Sequence, residues 1–285
     1  MKQRKLKNIA FLLPIYLFLI ALSLTMVFPF WDTFVTSISS NISSMERGIR
    51  LWPSEFSMEG YYTIWTTLEL WRPFLNNTIV TVVGTIGHVL LAAMAGYVLV
   101  QPQLPGKKII VTIIMITMMV PGEAIMIPLY IVFRDLGLLN SLWALIVSGL
   151  VSGFSVLLMR NFFASVPYEI AESARIDGAS DFKIFYKLYL PIAKPGLATV
   201  LLFEFVSRWN HFTSALLYIT DSRLFTLQVA LRALVIENDS TSGANFFTPN
   251  IRAAGLIISM IPLILIYPFL QRYFVKGINL GATKE

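Results

Sequence analysis

The chain has 285 residues, of which 56% are hydrophobic and 13% charged, and its formal net charge is +6. Soluble domains carry about 25% charged residues. This composition, with its apolar residues in blocks, therefore excludes a soluble protein and indicates an all-α integral membrane protein. The absence of cysteine excludes disulfides, thiolate metal sites and a cysteine nucleophile.

Six apolar segments are long enough to cross a bilayer, which takes about 20 residues of helix. They cover about residues 9–30, 74–100, 109–133, 141–163, 196–219 and 253–273. The basic start and first apolar run also resemble a signal peptide. The run is long for that, however, and no A-x-A cleavage site follows it. We find no internal repeat, so residues 1–285 are predicted to form a single membrane domain.

The positive charges indicate the orientation of these spans. Every lysine lies on one predicted side of the membrane, including Lys107, Lys108 and those of loop 164–195, whereas the other side carries arginines in longer loops. Because cytoplasmic loops are enriched in Lys and Arg, both termini and loop 164–195 are predicted to be cytoplasmic. The basic balance thus reflects topology, and we see no nucleic-acid footprint in it.

The loop between spans four and five predicts two short helices. Ser165 is a candidate N-cap for the first, with Pro167 in its first turn. Asp177-Gly178 is a stop signal, since glycine readily takes the left-handed conformation that ends a helix. The second helix is expected over residues 182–190, capped by Ser180 or Asp181 and ended by the prolines at 191 and 195.

Small residues line one face of the first of these helices. Ala171, Ala174 and Gly178 follow i, i+3, i+7 spacing, while Glu169 and Glu172 lie near the positive end of the helix dipole. Such a face would let another surface approach closely, and the charges would set its register. The alternative is an ordinary interfacial loop whose alanines only favour helix. On residue types alone, both interpretations stay open.

The whole string resembles a known motif. ESARIDGA at residues 172–179, followed by Leu190-Pro191, resembles the EAA loop of the permeases of ABC importers. Ser173 replaces the usual alanine, and Leu188 stands where isoleucine is commoner. Further segments, among them LWP at 51–53, AGY at 95–97 and the end from Gln271 to Gly277, are similar to the carbohydrate, maltose-type branch of that family.

This resemblance implies a function and a set of partners. The chain would be a multi-pass permease subunit in the bacterial inner membrane, working with a second homologous permease, two ATP-binding cassette subunits and an extracytoplasmic solute-binding protein. It would hold no cofactor, because ATP and Mg²⁺ bind the partner subunits. The C-terminal tail, with Lys276, Gly277 and Gly281, would reach towards the ATPase pair. The coupling residues would be Glu169, Glu172, Ala174, Arg175, Asp177, Gly178, Ala179, Leu190 and Pro191.

Polar residues inside the spans are candidates for a substrate pathway, because buried ionisable groups are costly in a membrane. Glu204 and Arg208 lie four residues apart, so they share a helix face and could form a structural ion pair or line the pathway. In the pathway, Arg208 could bind the carboxylate of an acidic sugar. Glu123 follows Pro121-Gly122, where a broken helix could mark a translocation site or serve packing alone. The remaining candidates are Trp209, Asn210 and Tyr218, with the aromatic rings available to stack on sugars or to anchor the interface.

We therefore expect an ATP-driven importer permease for a sugar or oligosaccharide, including acidic polysaccharide fragments. No G-x-x-x-x-G-K-[ST] sequence is present, so the chain cannot hold nucleotide in that way. A stand-alone secondary transporter or channel would favour visible inverted repeats. A membrane-embedded enzyme would need a motif such as H-E-x-x-H or a Ser/His pair, which the sequence lacks. We expect no catalytic and no metal-binding residue.

Overall fold

In a computed structural model of the chain, the regular elements of the described residues are all helices, which confirms the predicted all-α class. The structure describes the backbone of residues 2–46, 48–236 and 247–282, and the side chains of residues 12–46, 48–234 and 247–268. Extended pairing among these residues is limited to one isolated bridge between Ser39 and Phe56.

The helices follow one another through short connections. They are α1 (Lys2–Ser37), α2 (Asn41–Met45), α3 (Glu59–Tyr62), α4 (Trp71–Val100), α5 (Lys107–Met118), α6 (Gly122–Asp135), α7 (Leu142–Val147), α8 (Gly153–Ala164), α9 (Tyr168–Ile176), α10 (Asp181–Ile184), α11 (Leu190–Ile192), α12 (Lys194–Trp209), α13 (Thr213–Tyr218), α14 (Leu227–Ile236) and α15 (Pro249–Ala282). Single π-helical turns lie at Thr63–Thr67 and Phe185–Tyr189, and a 3₁₀ turn lies at Ser222–Leu224.

The chain forms two compact units, the first of which comprises Met1–Leu70 and Leu231–Met260. Asn250 is fully buried in this unit, where its Nδ2 donates to the Ser39 carbonyl at 3.0 Å and its Oδ1 accepts from the Ser44 hydroxyl at 3.4 Å. A Cβ at Gly60 would lie 2.9 Å from the Asn250 carbonyl oxygen, so only glycine permits this approach.

The second unit comprises Trp71–Ala230 and Ile261–Glu285 and is built around α4, which packs against α7, α8 and α12. Gly96 of α4 lets α8 approach closely, since a Cβ there would lie 2.8 Å from Cβ of Met159. Next to this contact, Tyr97 packs on Phe185 and Tyr189 with ring centroids 5.1 and 4.9 Å apart. This aromatic cluster joins α4 to the loop that follows α8.

The six predicted spans are recovered only in part. Within the described residues three helices are long and apolar enough to cross a membrane, namely Leu12–Ser37, Trp71–Val100 and Pro249–Pro268. Two bent helix pairs raise the number to five if each pair is one span. One of these is α5 with α6, which meet at 99° in place of one helix over 109–133. Pro121 explains this break, since proline lacks the N–H and disfavours helix in the residue before it.

The predicted fourth and fifth spans are also interrupted. Residues 141–163 form α7 and α8 with a break between them, where Gly149 adopts a left-handed φ of +75°. Residues 196–219 form α12, which ends at Trp209, and the separate α13. A single continuous helix over either stretch is therefore wrong. Hydropathy reports burial in an apolar medium, and it does not distinguish a continuous helix from two short ones.

The loop after α8 keeps its predicted two helices, with three differences of detail. Ser165 does not cap α9, because its hydroxyl donates to the Phe162 carbonyl at the end of α8, and Pro167 occupies the N-cap. Ser180 caps α10 as predicted, accepting from the Lys183 N–H at 3.4 Å. Pro191 does not end the second helix, which continues through a π-helical turn to Ile192. The bend of 80° comes after Ile192, before α12.

Candidate functional site

The predicted coupling loop is attached to the core of its own unit by its small residues. Ala171 is fully buried in the cluster that contains Tyr97, Phe163 and Tyr189, and Ala174 packs against the same cluster. Ala179 and Leu190 also pack there. The expectation that the alanine stripe faces a partner is therefore corrected for Ala171 and Ala174. Alanine is needed because α9 lies close to large aromatic rings.

Arg175 connects three parts of this loop region. Its Nε and Nη2 donate to Oδ1 of Asp181 at 3.2 and 3.0 Å, its Nη1 donates to the Tyr168 hydroxyl at 2.9 Å, and Nη2 also donates to Oε1 of Gln101 at 2.9 Å. The hydrogen bond with Asp181 raises the pKa of Arg175 above its ordinary value, so the side chain stays charged. Arg175 thus fixes α9 relative to α10 and the α4–α5 connection.

The outward side of the loop carries charged and apolar residues. Glu169, Glu172 and Asp177 are exposed, and Gly178 turns the chain with a φ of +77°. Pro191 is exposed near the end of the second helix. Two large apolar side chains that the motif did not single out, Ile176 and Phe182, are 82% and 72% exposed. Such residues close together on a polar loop are typical of a surface that another protein covers.

The predicted C-terminal contact residues cannot be placed in the same way. Lys276, Gly277 and Gly281 lie in the last part of α15, beyond Pro268, outside the residues whose side chains are described.

A polar cavity of about 220 Å³ lies in the second unit, between α4, the α7–α8 break and α12. Glu204 and Arg208 from α12 line it, as do Ser148 and Gly149 at the break. Its other lining residues include Asn77, Ser152, Ser207, His211 and Thr226. Hydroxyl and amide groups next to a charged pair make this cavity suited to a hydrated, hydroxyl-rich ligand.

Arg208 is held at the edge of this cavity by three acceptors. Its Nε donates to Oε1 of Glu204 at 2.6 Å, and its Nη1 donates to the carbonyls of Leu145 and Ile146 at 3.1 and 3.2 Å. These carbonyls belong to the last turn of α7, where the break leaves acceptors without helical donors. The side chain is only 6% exposed, and its Nη2 is buried without a hydrogen-bond partner among the described residues.

His88 and Gly84 complete the surroundings of this ion pair. The Nδ1 atom of the fully buried His88 lies 2.8 Å from the Gly149 carbonyl and 3.4 Å from Oε1 of Glu204. A neighbouring segment therefore satisfies this histidine. Gly84 faces the Arg208 guanidinium so closely that a Cβ at this position would overlap it.

The other predicted pathway residues lie elsewhere. Trp209 is 1% exposed and stacks on Phe205, and Tyr218 is 2% exposed and packs on Phe133. Neither ring lines the cavity or is open to a sugar. Asn210 is exposed after α12, where its Nδ2 donates to the Val206 carbonyl, and Glu123 is exposed in the first turn of α6. The structure thus brings together Glu204 and Arg208 and leaves out the remaining four.

A polar stripe on α4 is the feature that sequence reasoning missed. Asn77, Thr81, Thr85 and His88 are spaced by four, four and three residues, and all are buried. This spacing places them on one helix face. A stripe of this kind on an otherwise apolar segment is visible in the sequence and could have indicated the polar interior.

The family follows from a comparison with known proteins. Residues 88–280 match the model of the family described as "Binding-protein-dependent transport system inner membrane component". The chain belongs to this family. It is therefore a permease subunit of a binding-protein-dependent transport system and a bacterial membrane protein, and the predicted resemblance is confirmed.

Individual relatives cover nearly all of the permease. It is 35% identical to the polygalacturonan/rhamnogalacturonan transport system permease protein YtcP of Bacillus subtilis (strain 168), over 98% of this chain and 100% of YtcP. It is 29% identical to the arabinooligosaccharides transport system permease protein AraQ of Halalkalibacterium halodurans, over 90% and 91% of the two chains.

Solved structures agree with this assignment. A chain of a bacterial ABC transporter involved in the import of the acidic polysaccharide alginate matches with a TM-score of 0.85 and 30% identity, over 94% of this chain and 98% of that one. A chain in a second alginate transporter structure matches with a TM-score of 0.62 and 16% identity, which shows the fold alone.

Proposed function

We propose that this permease carries an acidic oligosaccharide, delivered by an extracytoplasmic solute-binding protein, across the bacterial inner membrane. In this proposal residues 1–285 act as one multi-pass permease domain with six membrane crossings and cytoplasmic termini. The lysine asymmetry supports the orientation. The bent and broken helices of the second unit support crossings that are interrupted near a central site.

The observation that carries the acidic substrate is the state of Arg208. A guanidinium has five N–H donors, and the buried Nη2 of this one has no partner among the described residues although it borders a cavity. A carboxylate in the cavity could accept from Nη2, which would form a charge-assisted hydrogen bond. Glu204 would remain on Nε, so the site would discriminate through one added contact.

The names of relatives point to the same chemistry. YtcP is named for the transport of polygalacturonan and rhamnogalacturonan, and the 30% identical structural neighbour is described as an importer of alginate, an acidic polysaccharide. AraQ is named for arabinooligosaccharides. The relatives therefore support an oligosaccharide as the substrate class, and the unpaired arginine donor favours an acidic one.

We further propose that the loop after α8 transmits movement from the ATP-hydrolysing subunits. Two such subunits would bind ATP and Mg²⁺, and a second homologous permease would complete the membrane part. Glu169, Glu172, Asp177 and Gly178 would meet the ATPase on the outward side of α9. Arg175, Ala174, Ala179 and Leu190 would act from behind, because their contacts make the loop move as one piece with α4 and α8. Lys276, Gly277 and Gly281 would add a tail contact.

The test uses the complete importer with its own binding protein, reconstituted in proteoliposomes. We expect substrate-stimulated ATP hydrolysis and uptake with an oligogalacturonate or another oligouronate, and little of either with a neutral oligosaccharide of equal length. Stimulation by the neutral sugar alone would refute the acidic substrate and leave the permease assignment intact. Failure to recover any ATP-hydrolysing subunit with the chain would refute the coupling proposal.

Two threonines give a matched pair for the cavity. Thr226 and Thr81 both bury a hydroxyl that lacks a partner among the described residues, but only Thr226 lines the cavity. We expect Thr226→Val to reduce oligouronate uptake up to about tenfold, the effect of losing one hydrogen bond of roughly 1 kcal/mol or slightly more. Thr81→Val should leave uptake unchanged. Equal rates for both variants would show that the cavity does not meet the substrate.

A further inference from the structure

A second cavity, of about 380 Å³, lies beside the α4–α5 connection and the start of α9. Its cations are Lys107, in the first turn of α5, and Arg160, near the end of α8. Glu169 also lines it and forms no ion pair with either cation among the described residues, so these three side chains sum to one positive charge. The Nε atom of Arg160 is buried without a hydrogen-bond partner in the described part of the chain. A buried donor of this kind calls for an acceptor that the protein itself does not supply.

An apolar groove of about 410 Å³ continues from this basic cavity along α5. Ile110 and Ile114 of α5 line the groove, while Lys107 lines the cavity. These three residues follow i, i+3, i+7 spacing, so they lie on one face of α5. Met94 and Val98 of α4 form the opposite wall and are about half exposed. The two cavities therefore follow one another along a single helix, the first basic and the second apolar.

We propose that an anionic phospholipid binds here, with its phosphate in the basic cavity and an acyl chain in the apolar groove. A basic pocket between membrane helices binds anionic lipid head groups, and the length of groove between residues 107 and 114 is about 10 Å at 1.5 Å per residue. A free anion would occupy the cavity alone and would leave the groove empty. Because Glu169 belongs to the coupling loop, a bound lipid would lie next to the segment proposed to meet the ATPase.

The chain contains no cysteine, so a single thiol reports on this groove. Met94→Cys, or Val98→Cys if the first variant fails to fold, is labelled with bimane in the full chain together with its co-purifying subunits, whose own cysteines are replaced. Nanodiscs contain either dibrominated phosphatidylglycerol or dibrominated phosphatidylcholine. We expect stronger quenching by the anionic lipid. Leu17→Cys, at a site on α1 that is 58% exposed, should be quenched equally by both lipids.

Two adjacent lysines separate a specific site from general surface charge. Lys107 lines the basic cavity and Lys108 does not. Lys107→Gln should reduce the preference for phosphatidylglycerol about fivefold, as expected for one basic residue near an anionic head group. Lys108→Gln should change it less than twofold, and soluble glycerol phosphate should not relieve the quenching.

Four results would overturn the proposal. The first is equal quenching by the two lipids at the groove label, and the second is an equal effect of the two lysine variants. The third is displacement of the brominated lipid by glycerol phosphate, which would indicate a site for free anions. The fourth is a groove label that no lipid reaches in the assembled complex, which would show that protein covers the groove.

Discussion

Gly84→Ala tests whether the ion pair in the polar cavity depends on a missing side chain. The three atoms nearest to a Cβ at Gly84 all belong to the Arg208 guanidinium. A methyl group here must therefore displace the arginine, since α4 cannot move without disturbing its contacts with α8. Displacement would weaken the bonds from Nη1 to the carbonyls of Leu145 and Ile146, which are 3.1 and 3.2 Å long.

The magnitude follows from these contacts. A hydrogen bond from a charged donor contributes about 1.5–3 kcal/mol, and breaking a buried charge pair costs about 3–5 kcal/mol. Partial displacement should therefore lower the free energy of unfolding by about 3 kcal/mol. Gly87→Ala is the matched control on the same helix, because its Cβ would meet only Cδ2 of Leu150, at 2.9 Å. A flexible methyl can move aside, so this change should cost less than about 1.5 kcal/mol.

The assay is thermal unfolding of the purified permease in detergent. Three kcal/mol corresponds to a fall in melting temperature of roughly 6–12 °C for Gly84→Ala. The decisive arm repeats the change in an Arg208→Met background. There the guanidinium is gone, and the added cost of Gly84→Ala should drop to less than about 1 kcal/mol, a coupling expected only for residues in contact. Equal melting of the Gly84 and Gly87 variants, or an undiminished cost in the Arg208→Met background, would refute the reasoning.

Three further predictions concern the loop after α8. Ala171→Leu should destabilise the permease by about 1–3 kcal/mol in thermal unfolding because it overpacks a fully buried site, whereas Ala164→Leu, at an exposed site, should be neutral. Gly178→Val should cost about 1–2 kcal/mol because its φ of +77° is left-handed, and Gly178→Asn should cost less; equal melting of the two would contradict the backbone argument. Ile176→Glu should lower transport-coupled ATP hydrolysis without changing the melting temperature, and unchanged hydrolysis would remove Ile176 from the coupling surface.

Much of this protein was readable from local sequence. Composition and apolar blocks predicted a helical membrane protein, and the string from Glu172 to Ala179 predicted the family that the comparisons confirm. The stop at Gly178 and the cap at Ser180 were also predicted correctly. These features depend on residue type and on neighbours a few positions away, so the sequence alone determines them.

The tertiary structure decided which residues meet. Glu204 and Arg208 were found from their spacing, yet their contacts with His88 and with the broken end of α7 involve residues 60 or more positions away. Trp209 and Tyr218 looked available to sugars, but their rings are buried by distant aromatic partners. The alanine stripe of α9 could have faced a partner or the core, because periodicity identifies a face without identifying what covers it. Long-range packing settles that question, and only the folded chain contains it.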